Sequence, residues 1–334
     1  MLLAGFGATA AFATGSVGDY ATAFYGKKIL WVDSYHPEYE WSAGIERGLR
    51  DVLAGSGVEL QIVHMETKRN SGEDFYRKAG LKAKKIIEAF RPDVVIASDD
   101  NAQRFLVVPY LKDTELPVVF CGVNGDLAEY GFPCSNVTGM IENEMAEGLI
   151  MHLQRYAGGQ RVGILGGDAP TMRMIADKYN RQFFNGRLQY YLVRTLAEFK
   201  EAFLRAQQEV DMLMIRNNAG IADWDDAEAE AFVAAHVRIP TGSALPWMKS
   251  YSLFTIAKVP EEHGEYTGAV ALRILGGEKP ADLPVVGDRM AHLMVNLKIA
   301  KATGIVLPVS LLKTAEVIGQ EIFEEDPTAT TEGR

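Results

Sequence analysis

The sequence has few of the residues that build covalent or metal-linked sites. Only two cysteines occur among 334 residues, so the chain forms at most one disulfide and has too few thiolates for a cysteine-based metal site. Because Cys121 ends an apolar run, a buried free thiol is favoured over a bridge to Cys134. The six histidines are scattered without metal-ligand spacing. We therefore predict no metal site and no cofactor.

Short catalytic motifs are also missing. The sequence contains no G-x-S-x-G, no H-E-x-x-H, no Walker loop, and no G-x-G-x-x-G after a predicted strand. An enzyme using the adjacent pair Asp99 and Asp100 is disfavoured, because neighbouring side chains point in different directions and no nucleophile accompanies them. These absences predict a protein that is not an enzyme and has no catalytic residue.

Positive charge is in deficit. The chain has 34 Lys and Arg against 44 Asp and Glu, a formal net charge of −10. A negative surface repels phosphate backbones and anionic lipids, so we expect no nucleic-acid partner and no direct insertion into a membrane. With 48% apolar and 23% charged residues, the composition is that of a soluble globular protein of about two domains.

The two ends of the chain differ from the rest. Residues 1–25 contain no Lys or Arg, and they include the A-x-A patterns Ala11–Ala13 and Ala21–Ala23. The apolar run there is too short to span a bilayer, which needs about 20 residues. We expect a signal peptide over 1–23 and a periplasmic or otherwise extracytoplasmic protein, with a disordered leader as the alternative. The acidic and Thr-rich segment 321–334 is predicted to be a disordered tail.

Apolar runs alternate with amphipathic helical segments between these ends. The predicted strands are 29–32, 58–65, 94–97, 117–123, 161–165, 188–193, 211–215, 253–257 and 292–295. The runs are continuously apolar, so helices should cover both faces of parallel sheets. Since the pattern restarts at residue 161, we predict an α/β fold of two doubly wound, Rossmann-like lobes with parallel sheets. Segment 239–250 is predicted as a connection and 309–318 as a final helix.

Polar and aromatic residues follow many of these strands. Ligands of doubly wound sheets bind outside the carboxyl ends of the strands. An aspartate there can pair with an ammonium group, a helix N-terminus can receive a carboxylate, and aromatic rings can sandwich a flat ligand. The predicted ligand-binding residues are Ser34, Tyr35, His36, Trp41, Ser98, Asp99, Asp100, Asn124, Gly167, Asp168, Arg216, Asn217, Ser243 and Trp247.

Simpler interpretations exist for some of these residues. Each aspartate could be a helix N-cap or a turn residue. Trp41 shares a helical stripe with Ile45 and Leu49 and could belong to the core.

Several strings carry a family resemblance. Residues 117–124 read P-V-V-F-C-G-V-N, and 136–140 read N-V-T-G-M. Further matching strings follow in order at 266–268, 273–280, 283–285 and 303–305. The ordered set spans about residues 28–318. It resembles the ABC transporter substrate-binding family related to tryptophan- and tyrosine-type binding proteins.

The resemblance implies a type I periplasmic binding fold, in which the chain crosses between two lobes three times. Lobe one would comprise 27–141 and 254–282, and lobe two 142–253 and 283–320. Gly139 and Ser250 would lie near the first two crossings. Such a protein would capture a small-molecule ligand in an interlobe cleft by hinge closure and deliver it to the membrane permease of an ABC importer. We expect it to act as a monomer.

Two segments depart from the family pattern. Residues 33–41 are richer in aromatics and resemble the S-Y-H-P-x-x-x-W strings of extracytoplasmic sensor domains, and 246–250 replace a glycine-containing turn. Ligand identity is therefore not carried over. We expect an amino-acid-like or aromatic or heterocyclic ligand, and a ligand-sensing module of a signalling system is the alternative function.

Overall fold

A computed structural model describes residues 23–143 and 145–319. The predicted signal peptide, apart from Ala23, and the predicted tail lie outside the described residues. The chain divides into two compact units. Unit 1 contains the described residues up to Asn143 together with Pro260–Arg289, and unit 2 contains the remainder, with Val259 and Met290 at its inner boundaries.

The elements follow one another in a strand–helix alternation. Before the first passage between units they are β1 Lys28–Asp33, α1 Glu40–Leu53, β2 Glu59–His64, α2 Glu73–Phe90, β3 Val94–Ser98, α3 Asp99–Ala102 continuing as a π-helical segment Gln103–Leu111, β4 Val118–Val123, α4 Leu127–Tyr130 and β5 Val137–Ile141. Next come α5 Ala146–Gln154, β6 Val162–Gly167, α6 Pro170–Tyr179 continuing as the π-helical segment Asn180–Phe184, β7 Gln189–Val193, α7 Leu196–Glu209, β8 Met212–Ile215, α8 Asp226–His236, β9 Thr241–Ser243, the 3₁₀ segment Pro246–Tyr251 and β10 Phe254–Lys258. The last are α9 Pro260–Leu275, the 3₁₀ segment Pro280–Asp282, β11 Val286–Gly287, β12 Ala291–Asn296, α10 Leu297–Thr303, α11 Val309–Leu312 and β13 Glu316–Ile318.

The sheet of unit 1 is entirely parallel. Its strand order is β11-β5-β4-β3-β1-β2, with Asp33 opposite both Ser98 and His64 in register. Strand β1 is buried on both faces, from Ile29 to Asp33. This is the burial expected when helices cover both sides of a parallel sheet, and it confirms the doubly wound prediction for this unit.

Helices α1 and α9 of unit 1 approach each other unusually closely. A Cβ on Gly48 would lie 2.1 Å from the Glu261 carbonyl oxygen, and one on Gly264 would lie 2.0 Å from the Ile45 carbonyl oxygen. Only glycine permits these contacts. The packing fixes the first turn of α9 against α1, which matters for the site described below.

The sheet of unit 2 is parallel except at one side. Its order is β13-β12-β10-β9-β8-β6-β7, and β12 runs antiparallel to β10. The intervening segment Pro260–Arg289 belongs to unit 1. No crossover helix within unit 2 therefore constrains β10 and β12 to be parallel, and this pair departs from the parallel pairing predicted for the sheets.

Several predicted boundaries differ from the structure. Lobe one was expected to resume at 254 and end at 282, but β10 pairs with β9 and β12 in unit 2, and β11 pairs with β5 in unit 1. These pairings satisfy backbone groups that would otherwise be buried without partners. Gly139 lies within β5, where a Cβ would be 2.2 Å from the Phe120 carbonyl oxygen, so this glycine serves packing and the crossing comes later.

Other local predictions also changed. Segment 239–250 contains the strand β9, because it adds to the sheet beside β8. The predicted final helix stops at Leu312, and β13 follows it beside β12. Both cysteines are free, and Cys121 is buried as expected. Among the described helices, none combines the length and apolarity needed to cross a membrane.

Candidate functional site

Parallel pairing brings the ends of β1, β3, β4, β5 and β11 to one edge of the unit 1 sheet. Carboxylates collect there, and we call Asp33, Asp99, Asp100 and Glu142 the acidic edge. Their environments differ strongly, and this difference separates structural carboxylates from a candidate ligand contact.

Asp33 is buried but fully partnered. Its Oδ1 accepts hydrogen bonds from Ser42 Oγ at 2.9 Å and Ser98 Oγ at 3.2 Å. The imidazole Nδ1 of His64 lies 2.9 Å from Oδ2, and this contact raises the pKa of His64. A carboxylate with three such partners is satisfied without a ligand.

Ser34 and Ser98 are also occupied by protein partners. Ser34 Oγ donates to the Ser98 carbonyl at 2.6 Å and accepts from the Ala102 amide at 2.9 Å. Ser98 Oγ accepts from the Trp31 indole at 3.2 Å. Both serines lie at the predicted edge, and their hydrogen bonds tie β1 to β3 and to the end of α3.

Asp99 has a different environment. The residue is 2% exposed, its Oδ1 accepts from the Trp41 indole N–H at 3.1 Å, and its Oδ2 is buried without a hydrogen-bond partner. Its backbone lies in the left-handed region, with φ of 66°, where aspartate is more easily accommodated than most residues. Burial, and then the neighbouring Asp33, raise the pKa of Asp99 well above its ordinary value. Asp99 is therefore an uncompensated acid that a cation could complete.

Trp41 and His263 pack beside this acid. Their ring centroids are 5.0 Å apart, and the His263 Nδ1 accepts the Gly122 amide at 3.3 Å. Gly122 has a φ of 67°, and a Cβ there would lie 2.9 Å from Asp99 Oδ1. Trp41 also packs against the apolar cluster of β1 and α1, so it contributes to the core and contacts Asp99.

An aromatic group follows β1. The rings of Tyr35 and Tyr39 meet edge to face at 5.2 Å, and Lys68 Nζ lies 4.6 Å and 4.9 Å from their centroids. Burial, more than the nearby Asp99, raises the pKa of Tyr35. His36 Nδ1 lies 3.4 Å from Glu38 Oε2. The two phenol rings thus lie nearly perpendicular to each other beside the Lys68 ammonium group.

Asp100 is a turn residue, which was the simpler interpretation of the strand-end aspartates. Its Oδ1 accepts from Tyr130 Oη at 2.7 Å and from the Gly125 amide at 3.1 Å, and its Oδ2 accepts from the Asn124 amide at 3.2 Å. Burial, and then the hydrogen bond to Asp100, raise the pKa of Tyr130. Asn124 is exposed and donates to Glu142 Oε2 at 2.7 Å. Asp100 organises the turn after β4.

In unit 2, the carboxyl end of β6 has the opposite arrangement. Asp168 lies between two guanidinium groups, 2.5 Å from Arg173 Nη2 and 2.9 Å from Arg194 Nη2. The hydrogen bond from Arg194, assisted by Arg173, lowers the pKa of Asp168. A Cβ on Gly167 would lie 2.3 Å from the Ala219 carbonyl oxygen, so this glycine is required by packing.

The remaining predicted residues of unit 2 lie after β8 and β9. Arg216 Nη1 donates to Tyr179 Oη at 3.2 Å, while its Nε is buried without a hydrogen-bond partner. Asn217 Oδ1 accepts the Ala219 amide at 2.9 Å. Ser243 is buried and its Oγ accepts the Leu245 amide at 3.2 Å, whereas Trp247 is 57% exposed. Of these, Arg216 has an unused donor.

Sequence reasoning missed several members of the unit 1 site. Asp33 ends β1 and was considered as a strand-end aspartate that could pair with an ammonium, whereas Glu142, which directly follows β5, was not, although the same rule could have added it. His263 and Asp288 gave no such signal, because α9 and β11 return to unit 1 from far along the chain. Within residues 23–143 and 145–319, no group of His, Cys, Asp and Glu side chains is arranged to hold a metal ion.

Known structures share this fold. The chain is similar to the ligand-free, open structure of a substrate binding protein with adhesive properties from Clostridium difficile, with a TM-score of 0.67, 16% identity and coverage of 88% of this chain and 100% of that one. It is similar to an ABC domain in complex with L-Trp from Streptococcus pneumonia, with a TM-score of 0.55, 20% identity and coverage of 87% and 99%. For a periplasmic ribose ABC transporter from Conexibacter woesei the TM-score is 0.53, the identity 15% and the coverage 88% and 99%.

These likenesses confirm the type I periplasmic binding architecture. A comparison with curated proteins gives no match. The family model for ABC transporter substrate binding proteins, however, matches residues 38–318. That range covers most of the chain and includes the whole acidic edge apart from Asp33. The chain therefore belongs to the ABC transporter substrate binding protein family.

Proposed function

We propose that this protein binds, outside the cytoplasm, a small molecule with a protonated amino group beside an aromatic or other flat apolar body, and delivers it to an ABC permease. One observation carries the proposal: Asp99 Oδ2 is buried without a partner, next to the Trp41 ring. A buried polar atom without a partner is destabilising until something satisfies it.

An ammonium group is the partner that this acid favours. The surrounding carboxylates make the edge negative, which strengthens attraction for a cation and repels an anion. An ammonium near Trp41 would also gain a cation–π contact, worth about 0.5–2 kcal/mol. The neighbouring ring of Tyr35 offers apolar surface to the ligand body.

Within unit 2, taken by itself, Arg216 is a candidate contact for a carboxylate. Arg216 keeps a buried guanidinium N–H without a partner, and guanidinium donors match carboxylate geometry. The L-Trp complex of the streptococcal protein supports an amino acid as the ligand. Hinge closure of the lobes on the ligand stays a prediction from the resemblance, and small-angle scattering with and without ligand tests it.

Calorimetric titration of the full chain tests the ligand class. The probes are the twenty amino acids, their decarboxylated amines and the nucleobases. We expect at least one aromatic amino acid to bind. Its decarboxylated amine should bind with lower affinity, and its N-acetylated form should not bind. Absence of binding by every amino-bearing probe would overturn the proposal.

The pH dependence of binding provides a second test. Because burial raises the pKa of Asp99, an ammonium must displace the carboxyl proton below that pKa. Affinity should then rise with pH, by up to about tenfold per pH unit, until Asp99 ionises by itself. A Kd independent of pH between 5 and 8 would contradict the role of Asp99.

A ligand-sensing module is the second candidate. The aromatic string from Ser34 to Trp41, which resembles sensor domains, favours it. Adjacent permease and ATPase genes would support transport, whereas an adjacent histidine kinase gene would support sensing.

A further inference from the structure

His263 lies between the candidate site and the points where the chain leaves unit 1. The chain passes between units after Asn143, before Pro260 and after Arg289. His263 is in the first turn of α9, close to the second passage, and its side chain is fully buried. No ligand contact has been assigned to it.

On one side, His263 contacts residues around Asp99. The Trp41 ring, which donates to Asp99, packs 5.0 Å from the imidazole. The imidazole Nδ1 accepts the Gly122 amide, and Gly122 in turn borders Asp99. Because Nδ1 accepts, the ring carries its proton on Nε2.

On the other side, His263 faces the passages. Its Nε2 lies 3.5 Å from Asp288 Oδ2, and both side chains are buried. Asp288 Oδ1 accepts the Asn143 amide at 2.7 Å, and Asn143 Nδ2 donates to the Asp288 carbonyl at 3.1 Å. The absence of a side chain at Gly287 leaves room for the Asn143 side chain, since a Cβ at Gly287 would be 2.2 Å from Asn143 Nδ2. Asp288 therefore joins the first and third passages.

A further hydrogen bond joins the beginning of α9, near the second passage, to the third passage. Glu262, which precedes His263, accepts the Arg289 amide at 2.9 Å. All three points of exit from unit 1 are thus hydrogen-bonded around the His263–Asp288 pair. These contacts form a continuous chain of packed groups from Asp99 to Asn143.

We propose that His263 is a positioning residue that couples ligand occupancy at Asp99 and Trp41 to the three passages, with Asp288 as the link. The inference rests on the proposed function. A ligand that shifts Trp41 displaces the imidazole, and the imidazole cannot move without changing its contact with a buried carboxylate. Asp288 transmits the change because the same carboxylate holds the Asn143 amide.

Amide hydrogen exchange at Asn143, measured by NMR without ligand, tests the coupling directly. Trp41→Ala should speed exchange at Asn143 by roughly twofold to thirtyfold, the range of coupling along linked groups. In a His263→Gln background the same substitution should have no further effect. Exchange unchanged by Trp41→Ala, or an effect that persists in His263→Gln, would overturn the proposal.

Controls separate coupling from general destabilisation. Trp41→Phe keeps a ring against His263 and should alter exchange less than Trp41→Ala. His292→Gln changes a half-exposed histidine of unit 2 and should leave Asn143 unaffected. If His263→Gln does not fold, Asp288→Asn supplies the background for the same cycle.

A titration with L-tryptophan tests the same coupling in the presence of a ligand. At saturating L-tryptophan, with saturation of each protein checked by calorimetric titration, exchange at Asn143 should slow in the natural protein and stay unchanged in His263→Gln. If His263 had only a structural role, ligand would slow exchange in both proteins, which would count against the inference. No binding by the natural protein would count against the amino-acid proposal, while the ligand-free cycle decides the coupling.

Discussion

Two aspartates follow strands at the carboxyl edges of the two sheets, yet their surroundings are opposite. Asp99 of unit 1 is buried among other carboxylates and has one oxygen without a partner. Asp168 of unit 2 forms ion pairs with Arg173 and Arg194. Position at a strand end therefore does not distinguish a ligand contact from a structural residue. The two are distinguished by whether neighbouring groups compensate the charge of the carboxylate.

The same contrast extends over each edge. Unit 1 presents carboxylates, and among them Asp33 and Asp100 are held by hydroxyl, imidazole and amide groups. Unit 2 presents arginines, and Arg216 keeps an unused donor. The buried side-chain atoms without a hydrogen-bond partner include Asp99 Oδ2 in unit 1 and Arg216 Nε in unit 2.

The largest expected effect is that of Asp99→Asn on ligand affinity. Removing one partner of a buried charge pair costs about 2–5 kcal/mol, which is a rise in Kd of thirtyfold or more. Calorimetric titration measures it. The exposed aspartate of α1 provides the matched control, since Asp51→Asn makes the same change in charge and should leave the Kd unaltered. Equal Kd values for natural protein and Asp99→Asn would remove the distinction between the two edges.

Arg216→Gln should have the next largest effect. Loss of a hydrogen bond to a charged group is worth about 1.5–3 kcal/mol. The loss should appear for an amino acid and not for the corresponding amine, because only the former has a carboxylate. Titrations with the two compounds give the comparison, and an equal loss for both would show that Arg216 does not contact the carboxylate.

Trp41→Ala should weaken ligand binding while the fold remains largely intact. We expect a loss of about 1–2 kcal/mol, since the ring would pack on the ligand and orient Asp99. Titration together with thermal unfolding measures both quantities. Loss of folding instead would mean that the core role of Trp41 dominates.

The smallest effect concerns stability against pH, where the two aspartates should act with opposite sign. The pKa of Asp99 is raised in the folded state, so its contribution to stability is lost as pH rises from its unfolded value through its folded value. One such group gives a slope of at most about 1.4 kcal/mol per pH unit. The pKa of Asp168 is lowered, so its contribution is lost as pH falls through the folded value.

Urea unfolding between pH 3 and 8 compares the natural protein with Asp99→Asn and Asp168→Asn. Compared with the natural protein, Asp99→Asn should become more stable as the pH rises. Asp168→Asn should be less stable than the natural protein at neutral pH, and the two should converge at low pH. Parallel pH profiles for the two variants would contradict the contrast between the edges.

Much of the fold was predictable because it depends on local pattern. Continuous apolar runs such as 94–97 and 117–123 predicted buried parallel strands, and both are confirmed as β3 and β4. The pairing of β10 within unit 2 and of β11 within unit 1 was not predictable in this way. Two- to five-residue strands acquire a partner only when distant segments meet, and hydrogen bonding then decides their place.

The candidate site shows the same division. Asp99, Trp41 and Tyr35 were predicted because strand ends of parallel sheets meet at one edge. His263 was not, because its contacts with Trp41 and Gly122 arise from the close packing of α9 on α1. That packing depends on glycines in both helices, whose effect is visible only when the helices are in contact.

The sequence by itself determined an acidic α/β chain of two doubly wound units with polar residues at the strand ends, since periodicity and composition act locally. Only the tertiary structure decided which of those residues still lack a partner. Hydrogen bonds and ion pairs from groups far apart in the sequence satisfy Asp33, Asp100 and Asp168, and burial without such a partner distinguishes Asp99 from these three aspartates.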